Sequence, residues 1–396
     1  MLTRSYQGLR VLDLSTNIAG PMTAMLLGDM GADVIKVERS PGGDDTRALD
    51  PKVDGESTVY LSMNRNKRSL LLDFKSDDDL AQLYKLIAAA DVIIESFPPG
   101  LAGKLGLSPE AIRALNGSAI LCSVSAFGDG PLGSVMPGYD ALVQAVSGMM
   151  SFTGAPDGED VRIAPSILDV STGMWSCMSI MAALHGDSGK DEFQHISRCL
   201  IDSAMLMMGH QVQGYLATGV APEKLGSGAP SAVPYRVYRS RDGKFMLATA
   251  SEPQFARLCA ALGLDHLVND QRFSSMAARI ANRDELDTQL QQCFLEHDTS
   301  HWLVYLANAG LSVGSVNDLS DALQLDVVKE RNLFLDPDSV SWCGGQPLLR
   351  SPLDSEAKAL RRPPPRLGEH SQLIMDELRN SADWPADLVD EGASGS

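Results

Sequence analysis

The chain has 396 residues, of which 44% are hydrophobic and 21% are charged, and its formal net charge at pH 7 is −18. This length exceeds one ordinary hydrophobic core, so two domains are expected. A strongly acidic protein is repelled by nucleic acid and by anionic membranes, and neither is expected as a partner. No signal peptide and no apolar stretch of about 18 residues are evident, which favours a cytoplasmic protein without a membrane span.

The six cysteines lie far apart in the sequence, and no two of them form a C-x-x-C pair. Such spacing is typical of reduced thiols in a cytoplasmic protein. We therefore expect free cysteines, and we expect neither a structural nor a catalytic zinc site.

The first part of the chain alternates predicted strands with predicted helices. Strands are predicted at residues 10–15, 33–38, 69–73, 92–95 and 119–124, and helices at 21–30, 77–90 and from 109 onward. Pro21 suits the first turn of its helix, and Gly31 suits the end of it. Strands that alternate with helices predict a parallel sheet covered on both faces.

Two apolar helices are predicted next, at residues 170–184 and 199–216. A stretch rich in proline and glycine at residues 219–234 then marks a domain boundary. A second compact unit is predicted from strands at 235–238 and 244–249 and from helices at 253–262, 283–296 and 300–309.

The segment Gly128–Gly133 matches the pattern G-x-G-x-x-G, which by itself suggests a dinucleotide site. However, it follows the last strand of the first region, and Pro131 and the residues after it do not open a helix that could cradle a diphosphate. We interpret the segment as a glycine-rich loop that acts through its shape.

Several short motifs occur in a fixed order. They are RVLDLS (10–15), AGP (19–21), GADVIKVER (31–39), GDDTR (43–47), NRNKRSL (64–70), LDFK (72–75), ADVIIESFPPG (90–100), KLGL (104–107), PGYD (137–140) and ILD (167–169). Each motif is weak alone, but their joint order and spacing make a chance match very improbable.

In this order the motifs resemble the class III CoA-transferase family, also called the CaiB/BaiF family, which includes formyl-CoA transferase and carnitine CoA-transferase. The resemblance is dense over residues 8–210 and thinner as far as residue 370. It implies an α/β fold whose large, Rossmann-like parallel-sheet domain is built from both chain ends, residues 1–220 and 331–396, with a disordered tail. It also implies a smaller α+β domain at residues 221–330 and an interlocked homodimer.

The resemblance implies that the protein moves CoA from an acyl-CoA thioester to a small free carboxylic acid, with Asp169 as the covalent nucleophile. An aspartyl mixed anhydride and then an aspartyl-CoA thioester would divide this exchange into easier steps. Asp169 directly precedes the helix predicted from Val170, so helix amides are expected to favour its charged form. From the sequence alone, a simple helix cap is the favoured role of Asp169.

The resemblance also implies a CoA site. Its residues would be Ile18, Ala19, Arg39, Leu72, Phe74, Lys75, Ser96, Phe97, Pro98, Lys104 and Tyr139. Core packing stays an equal alternative for Leu72, Phe74 and Phe97. The basic candidates for contacts with the CoA phosphates are Lys36, Arg39, Arg65, Lys67, Arg68, Lys75 and Lys104. CoA and acyl-CoA are expected as substrates, and neither a permanently bound cofactor nor a metal is expected.

Tyr139 separates this reaction from its main rival. The related α-methylacyl-CoA racemases carry Gly-His-Asp where this chain has Gly138-Tyr139-Asp140. Tyrosine is a poorer base at neutral pH than histidine, which favours the transferase over an isomerase of the same fold. A non-catalytic CoA-binding protein is the third alternative, and the presence of Asp169 argues against it.

The chain departs from the family pattern at several positions. Ser96 and Pro98 replace the usual asparagine and arginine, and Lys104 replaces an arginine, which keeps the charge but loses the planar fork. The nearest counterpart of the mobile glycine-rich lid is Gly226-Ser-Gly228, which is shorter. The identities of the donor and acceptor acids stay open.

Overall fold

The structure is a computed structural model of the chain, and it describes residues 2–186, 192–335, 345–353, 360–381 and 383–386. The predicted disordered tail therefore lies outside the described residues.

The strands are β1 (Arg10–Leu14), β2 (Asp33–Arg39), β3 (Lys52–Val53), β4 (Glu56–Ser57), β5 (Lys67–Leu72), β6 (Val92–Glu95), β7 (Ile120–Ser125), β8 (Gln194–Cys199), β9 (Tyr235–Arg239), β10 (Lys244–Ala248) and β11 (Ser312–Ser315). The helices of the first half are α1 (Ala19–Asp29), α2 (Thr58–Met63), α3 (Asp77–Ala89), α4 (Leu101–Lys104), α5 (Pro109–Leu115), α6 (Asp140–Val146), α7 (Ile167–His185), α8 (Leu200–Met207) and α9 (Gly209–Thr218). The later helices are α10 (Glu252–Leu262), α11 (Met276–Ala281), α12 (Arg283–Phe294), α13 (Thr299–Asn308), α14 (Leu319–Gln324), α15 (Asp326–Glu330) and α16 (Ser371–Asn380).

Six strands form a parallel sheet in the order β5-β2-β1-β6-β7-β8. The register places Val11 of β1 beside Val34 of β2 and beside Val92 of β6. The strands contain short buried apolar runs, as expected when helices cover both faces of a parallel sheet, although β2 and β5 also bury charged side chains such as Lys36 and Lys67. The predicted α/β class with a parallel sheet is confirmed.

Local sequence signals explain where the helices of this sheet begin. The side chain of Ser76 accepts a hydrogen bond from the Asp79 amide, and three aspartates fill the first turn of α3. Ser108 caps α5 in the same way, and Pro109 occupies the first turn of that helix.

The two faces of the sheet pack against different helices. On one face, α3, α5 and α16 cover strand residues such as Leu12, Ile93 and Leu121. On the other face lies α1, where a Cβ at Gly28 would be 3.5 Å from the Val34 side chain. Helix α7 crosses α1 so closely that a Cβ on Gly173 would lie 2.8 Å from the carbonyl oxygen of Ala19.

The end of the chain returns to this sheet. Helix α16 contributes buried Ile374 to the core that the sheet shares with α3. The amides of Ser69 and Leu71 on the edge strand β5 donate to His370 Nδ1 at 3.2 Å and to Ser371 Oγ at 2.9 Å. The large domain built from both chain ends is thus confirmed.

The described residues form two compact units. The first comprises residues within Met1–Ser147, Ile163–Leu216 and Arg331–Ser396, and the second comprises Gly148–Arg162 and Ala217–Glu330. The predicted boundaries were 220 and 330, and they placed Gly148–Arg162 in the large domain.

The second unit contains the antiparallel sheet β11-β10-β9. Its core holds an aromatic cluster in which Phe294 contacts Tyr238, Phe245 and Trp302 at ring-centroid distances of 5.0, 5.1 and 5.2 Å. The glycine-rich segment Gly226-Ser-Gly228 lies in this unit as a turn, with the Gly226 amide bonded to the carbonyl oxygen of Gly154 at 2.9 Å.

One predicted helix of the first unit was wrong in its bounds. Residues 199–216 were predicted as a single helix, but strand β8 occupies Gln194–Cys199, and the helix that follows breaks near Met208. The amphipathic signal of α8 and α9 masked the short half-buried strand, because a strand of six residues gives little periodicity of its own.

Helix α7 is long and apolar enough to cross a membrane by length and composition alone. A helix on a globular domain can pass the same test, and α7 packs one side against α1, β7 and β8.

The sequence contains one H-x-x-x-H pair, His297 and His301, and this spacing can place two metal ligands on one face of a helix. The rings of His297 and His301 stack with their centroids 4.1 Å apart, and Tyr305 continues the stack. In the described ranges, no three His, Cys, Asp or Glu side chains are grouped so that they could hold a metal ion.

Candidate active site

A cavity of about 430 Å³ opens at the carboxyl edge of the parallel sheet. The chain leaves β1 toward β2 on one side, whereas β6 leads toward β7 on the other. The loops after these two strands therefore diverge and leave a crevice between them. Thr16–Gly20 after β1 and Ser96–Gly100 after β6 both line the cavity.

The cavity brings together seven of the twelve residues predicted for the site. The residues that line it are Ile18, Ala19, Ser96, Phe97, Pro98, Tyr139 and Asp169. The amide of Thr16 donates to Ser96 Oγ at 3.0 Å, so the two turns are joined directly.

Five predicted CoA contacts lie outside this lining. Leu72 is 1% exposed and packs in the core, with Phe74 partly buried against it. Arg39 pairs with Asp45 on the surface. Lys75 and Lys104 are exposed.

Most of the basic residues predicted to meet CoA phosphates are buried and already paired. Lys36 and Lys67 are fully buried with Asp13, and Lys36 also lies 2.9 Å from Asp44. The other buried pairs are Arg65 with Asp29 and Arg68 with Asp33. Sequence proximity to the CoA motifs could not reveal this, since the carboxylates come from other strands, from a loop and from the end of α1. These side chains are not available to a phosphate.

Asp169 is the third residue of α7, which begins at Ile167. The sequence prediction placed Asp169 just before the helix, as a cap, and that placement was wrong. Ser166 occupies the cap position and makes no side-chain hydrogen bond to the helix.

Asp140 takes the place that was predicted for Asp169. Its Oδ2 atom accepts hydrogen bonds from the amides of Leu168 at 2.8 Å and of Asp169 at 3.2 Å. Gln144 Nε2 donates to the other oxygen at 2.6 Å. Asp140 is only 5% exposed, so a buried carboxylate accepts the hydrogen bonds of backbone amides in the first turn of α7, which have no partner inside the helix. The sequence analysis assigned no role to Asp140, although it used the triplet Gly138-Tyr139-Asp140 to separate the transferase from the racemases.

The electrostatic environment of Asp169 is the reverse of the predicted one. Burial and the nearby carboxylate of Asp140 raise the pKa of Asp169 to about 7. Helix amides would have lowered this pKa, but Asp140 accepts the hydrogen bonds of two of them. A partly shielded carboxylate with a raised pKa in a cavity is typical of a reactive acid.

The glycine-rich loop borders the cavity near Asp169. Gly128 and Gly133 of this loop line the cavity, and so does Gly138 a few residues later. A Cβ on Gly133 would lie 2.1 Å from the carbonyl oxygen of Phe127, and one on Gly138 would lie 2.6 Å from the Ala126 side chain. The loop therefore needs glycine for close packing, which agrees with its interpretation as a loop that acts through shape.

The cavity lining is acidic. Asp45, Glu95, Asp129 and Asp169 contribute to it, and His195 is the basic residue among the described lining residues. Burial raises the pKa of Glu95, although hydrogen bonds from Ser123 and from the Phe97 amide oppose part of the rise.

Comparison with known proteins agrees with this arrangement. A model of the family described as CoA-transferase family III matches residues 6–371. The succinate–glutarate CoA-transferase of Agrobacterium fabrum is 36% identical over 94% of this chain and 95% of its own length. The human succinyl-CoA:glutarate CoA-transferase is 34% identical over 95% of this chain and 86% of its own length.

A solved structure shows the same fold. A CaiB/BaiF family protein from Brucella suis superposes with a TM-score of 0.82 at 36% identity, covering 94% of this chain and 98% of that protein. The match extends over both units, and the resemblance seen in the ordered motifs is thereby confirmed. The chain belongs to CoA-transferase family III.

Proposed function

We propose that this CoA-transferase works through Asp169 in two covalent stages. The Asp169 carboxylate attacks the thioester carbonyl of the acyl-CoA, the C–S bond breaks, and CoA leaves as its thiolate with a mixed anhydride left on the enzyme. The thiolate then attacks the Asp169 carboxyl carbon and expels the donor acid as a carboxylate. The acceptor acid repeats these steps in reverse and leaves as its CoA thioester.

The observation that carries this mechanism is the environment of Asp169. Its carboxylate lines the cavity, and burial with the Asp140 charge raises its pKa to about 7. At neutral pH much of it is ionised, and its higher basicity makes it a better nucleophile than an ordinary aspartate. Partial shielding also keeps water from an anhydride formed there.

CoA is proposed to enter along the joined turns after β1 and β6. The turns offer backbone and small side chains for the narrow pantetheine arm, at Ile18, Ala19, Ser96 and Pro98. The phosphates would then reach the exposed cations Lys75 and Lys104 outside the cavity, because the cavity itself is acidic.

The isomerase alternative has less support. It would need a base on each side of the α-carbon, and Tyr139 stands where the racemases have histidine. Tyr139 is 70% exposed, and tyrosine is in general a poorer base at neutral pH than histidine. The matched relatives are named as CoA-transferases, which also favours transfer.

Trapping tests the covalent mechanism directly. After incubation with succinyl-CoA, hydroxylamine should convert Asp169 to a hydroxamate, and borohydride should reduce its thioester to an alcohol, both detectable by peptide mass spectrometry. Asp169→Asn should lose exchange of labelled CoA by about 10³-fold or more. Asp129→Asn, which changes another acid of the cavity lining, should leave the adduct on Asp169. An unmodified Asp169 in enzyme that has bound CoA would exclude the mechanism.

The pH dependence follows from the raised pKa of Asp169. Its nucleophilic form disappears as the pH falls below about 7, so kcat/KM for acyl-CoA should drop tenfold per pH unit there and level off above. Asp140→Asn keeps an oxygen to accept the helix amides but removes the like charge. The acid limb should move down by about one pH unit. Asp129→Asn is the matched control and should not move it. A limb that stays in place in Asp140→Asn would contradict the electrostatic account.

We further propose that the acceptor is a short dicarboxylic acid. Both relatives described above are named for succinate or succinyl-CoA and for glutarate, which are dicarboxylates. The cavity volume of about 430 Å³ accommodates such an acid beside the CoA thiol.

An acid panel tests this substrate class. With succinyl-CoA as donor, glutarate should exceed valerate, its monocarboxylate of equal length, by about tenfold or more in kcat/KM, which corresponds to about 1.4 kcal/mol. Oxalate, malonate and adipate define the preferred length. Equal efficiency for glutarate and valerate would rule out recognition of the second carboxylate.

A homodimer is proposed on the basis of an exposed apolar surface on α7, α8 and α9. Its large side chains are Met174 (48% exposed), Trp175 (40%), Met178 (44%), Leu206 (60%) and Leu216 (69%). A surface of this kind typically marks an interface between protein chains. The interlocked form of the dimer and the cytoplasmic location stay predictions.

Sedimentation analysis should therefore give a mass of twice 42.4 kDa at micromolar concentration. Met178→Asp with Leu206→Asp should shift the enzyme toward monomer, because two like charges would have to be buried without opposite charges beside them. Leu373→Lys changes an exposed leucine on α16 and should leave the mass unchanged. A wild-type mass of 42.4 kDa would contradict the homodimer.

A further inference from the structure

We propose that the buried ion pair between Lys36 and Asp44 is a positioning device that holds the β1–α1 turn, residues 15–18, in the shape that accepts CoA. This inference rests on the proposed function, because it takes the turn to be a CoA contact. Both residues belong to motifs that the sequence analysis singled out, but the proposed mechanism uses neither of them.

Asp44 binds the backbone of the turn through its carboxylate. Its Oδ1 atom accepts a hydrogen bond from the amide of Asn17 at 3.2 Å and another from the amide of Thr46 at 2.9 Å. Its Oδ2 atom lies 2.9 Å from Lys36 Nζ. Asp44 is 1% exposed and Lys36 is completely buried, so solvent does not screen the pair.

Lys36 makes the second contact with the backbone of the turn. Its ammonium donates to the carbonyl oxygen of Ser15 at 2.8 Å, one residue before the part of the turn that lines the cavity. The Ser15 amide in turn donates to Asp13 Oδ1 at 3.0 Å. Lys67 completes the cluster with bonds of 2.8 Å to Asp13 Oδ2 and to the carbonyl oxygen of Pro21 in the first turn of α1. Ionised side chains thus hold both ends of the turn.

The turn itself needs such support. Asn17 has a φ of 69°, in the left-handed region that non-glycine residues adopt at a cost of about 1 kcal/mol or more. This conformation lets the Asn17 amide point toward Asp44 while the Thr16 amide reaches Ser96 of the neighbouring turn. Release of Asp44 would therefore disturb both walls of the cavity.

The cluster balances its charges. Two carboxylates, Asp13 and Asp44, face two ammonium groups, Lys36 and Lys67. Burial acts to raise the pKa of each carboxyl, but the nearby ammonium charges and the hydrogen bonds together outweigh it, so that both pKa values are lowered. A neutral, fully buried cluster can be replaced in pairs without leaving an unpaired charge. This makes the positioning role testable apart from stability.

The double variant Lys36→Met with Asp44→Leu removes the device and leaves no buried charge of the pair behind. We expect KM for acyl-CoA to rise about tenfold, because the loosened turn must be ordered on binding. The value of kcat at saturating acyl-CoA should stay within about threefold, and KM for the acceptor acid should not change. Asp169 should still be trapped by hydroxylamine.

The matched control is Arg65→Met with Asp29→Leu, which removes another buried ion pair of the same unit. It should lower the melting temperature by a comparable amount and leave KM for acyl-CoA unchanged. Asp44→Asn retains an acceptor for the Asn17 amide, so its KM should lie between wild type and the double variant.

Two results would overturn the proposal. One is a folded double variant whose KM for acyl-CoA is unchanged, and the other is an equal rise in KM in the control variant. If the double variant does not fold, Asp44→Asn decides, and an unchanged KM in that folded enzyme overturns the proposal. Failure of the proposed function would be recognised separately, because wild-type enzyme would then not be trapped at Asp169.

Discussion

The strand order of the parallel sheet reverses between β1 and β6, and the active-site cavity depends on that constraint. Parallel strands need crossover connections, and here the crossovers from β1 and from β6 run to opposite sides of the sheet. The loops after Leu14 and after Glu95 therefore diverge at the carboxyl edge. Helix α7 brings Asp169 to the same edge. The cavity thus follows from topology, and the side chains around it only refine its shape and charge.

Much of this architecture could be predicted because short-range sequence patterns indicate it. Short apolar strands alternate with amphipathic helices, and Pro21 and Pro109 mark helix beginnings. Strand β8 was missed because it is short and half-buried, and because apolar helices follow it directly. The ordered motifs identified the two turns of the cavity, but they also assigned Leu72 to it, although that side chain packs in the core. A motif gives proximity in sequence and does not tell which face of a strand a side chain occupies.

The charges of the site could not be predicted from the sequence, because they arise from contacts between distant segments. The helix amides that were expected to stabilise Asp169 are taken by Asp140, which lies 28 residues away from Leu168. Burial, together with the Asp140 charge, then raises the pKa of Asp169, which the sequence had led us to expect to be lowered. Likewise, Lys36 and Lys67 resemble a surface cluster for phosphates until the carboxylates beside them are seen. In an acidic chain, basic side chains are scarce, and several of them are used inside the fold.

The return of the chain end to strand β5 has a consequence for synthesis. Until His370 and Ser371 arrive, the amides of Ser69 and Leu71 on that edge have no partner from the chain end, and an open strand edge invites pairing with other chains. The partners are separated by 301 and 300 residues. At ribosomal rates of about 5–20 residues per second, His370 and Ser371 are synthesised about 15–60 s after that edge strand on each nascent chain. A binding partner that shields the edge during this interval, such as a chaperone, would act on the chain before the enzyme exists.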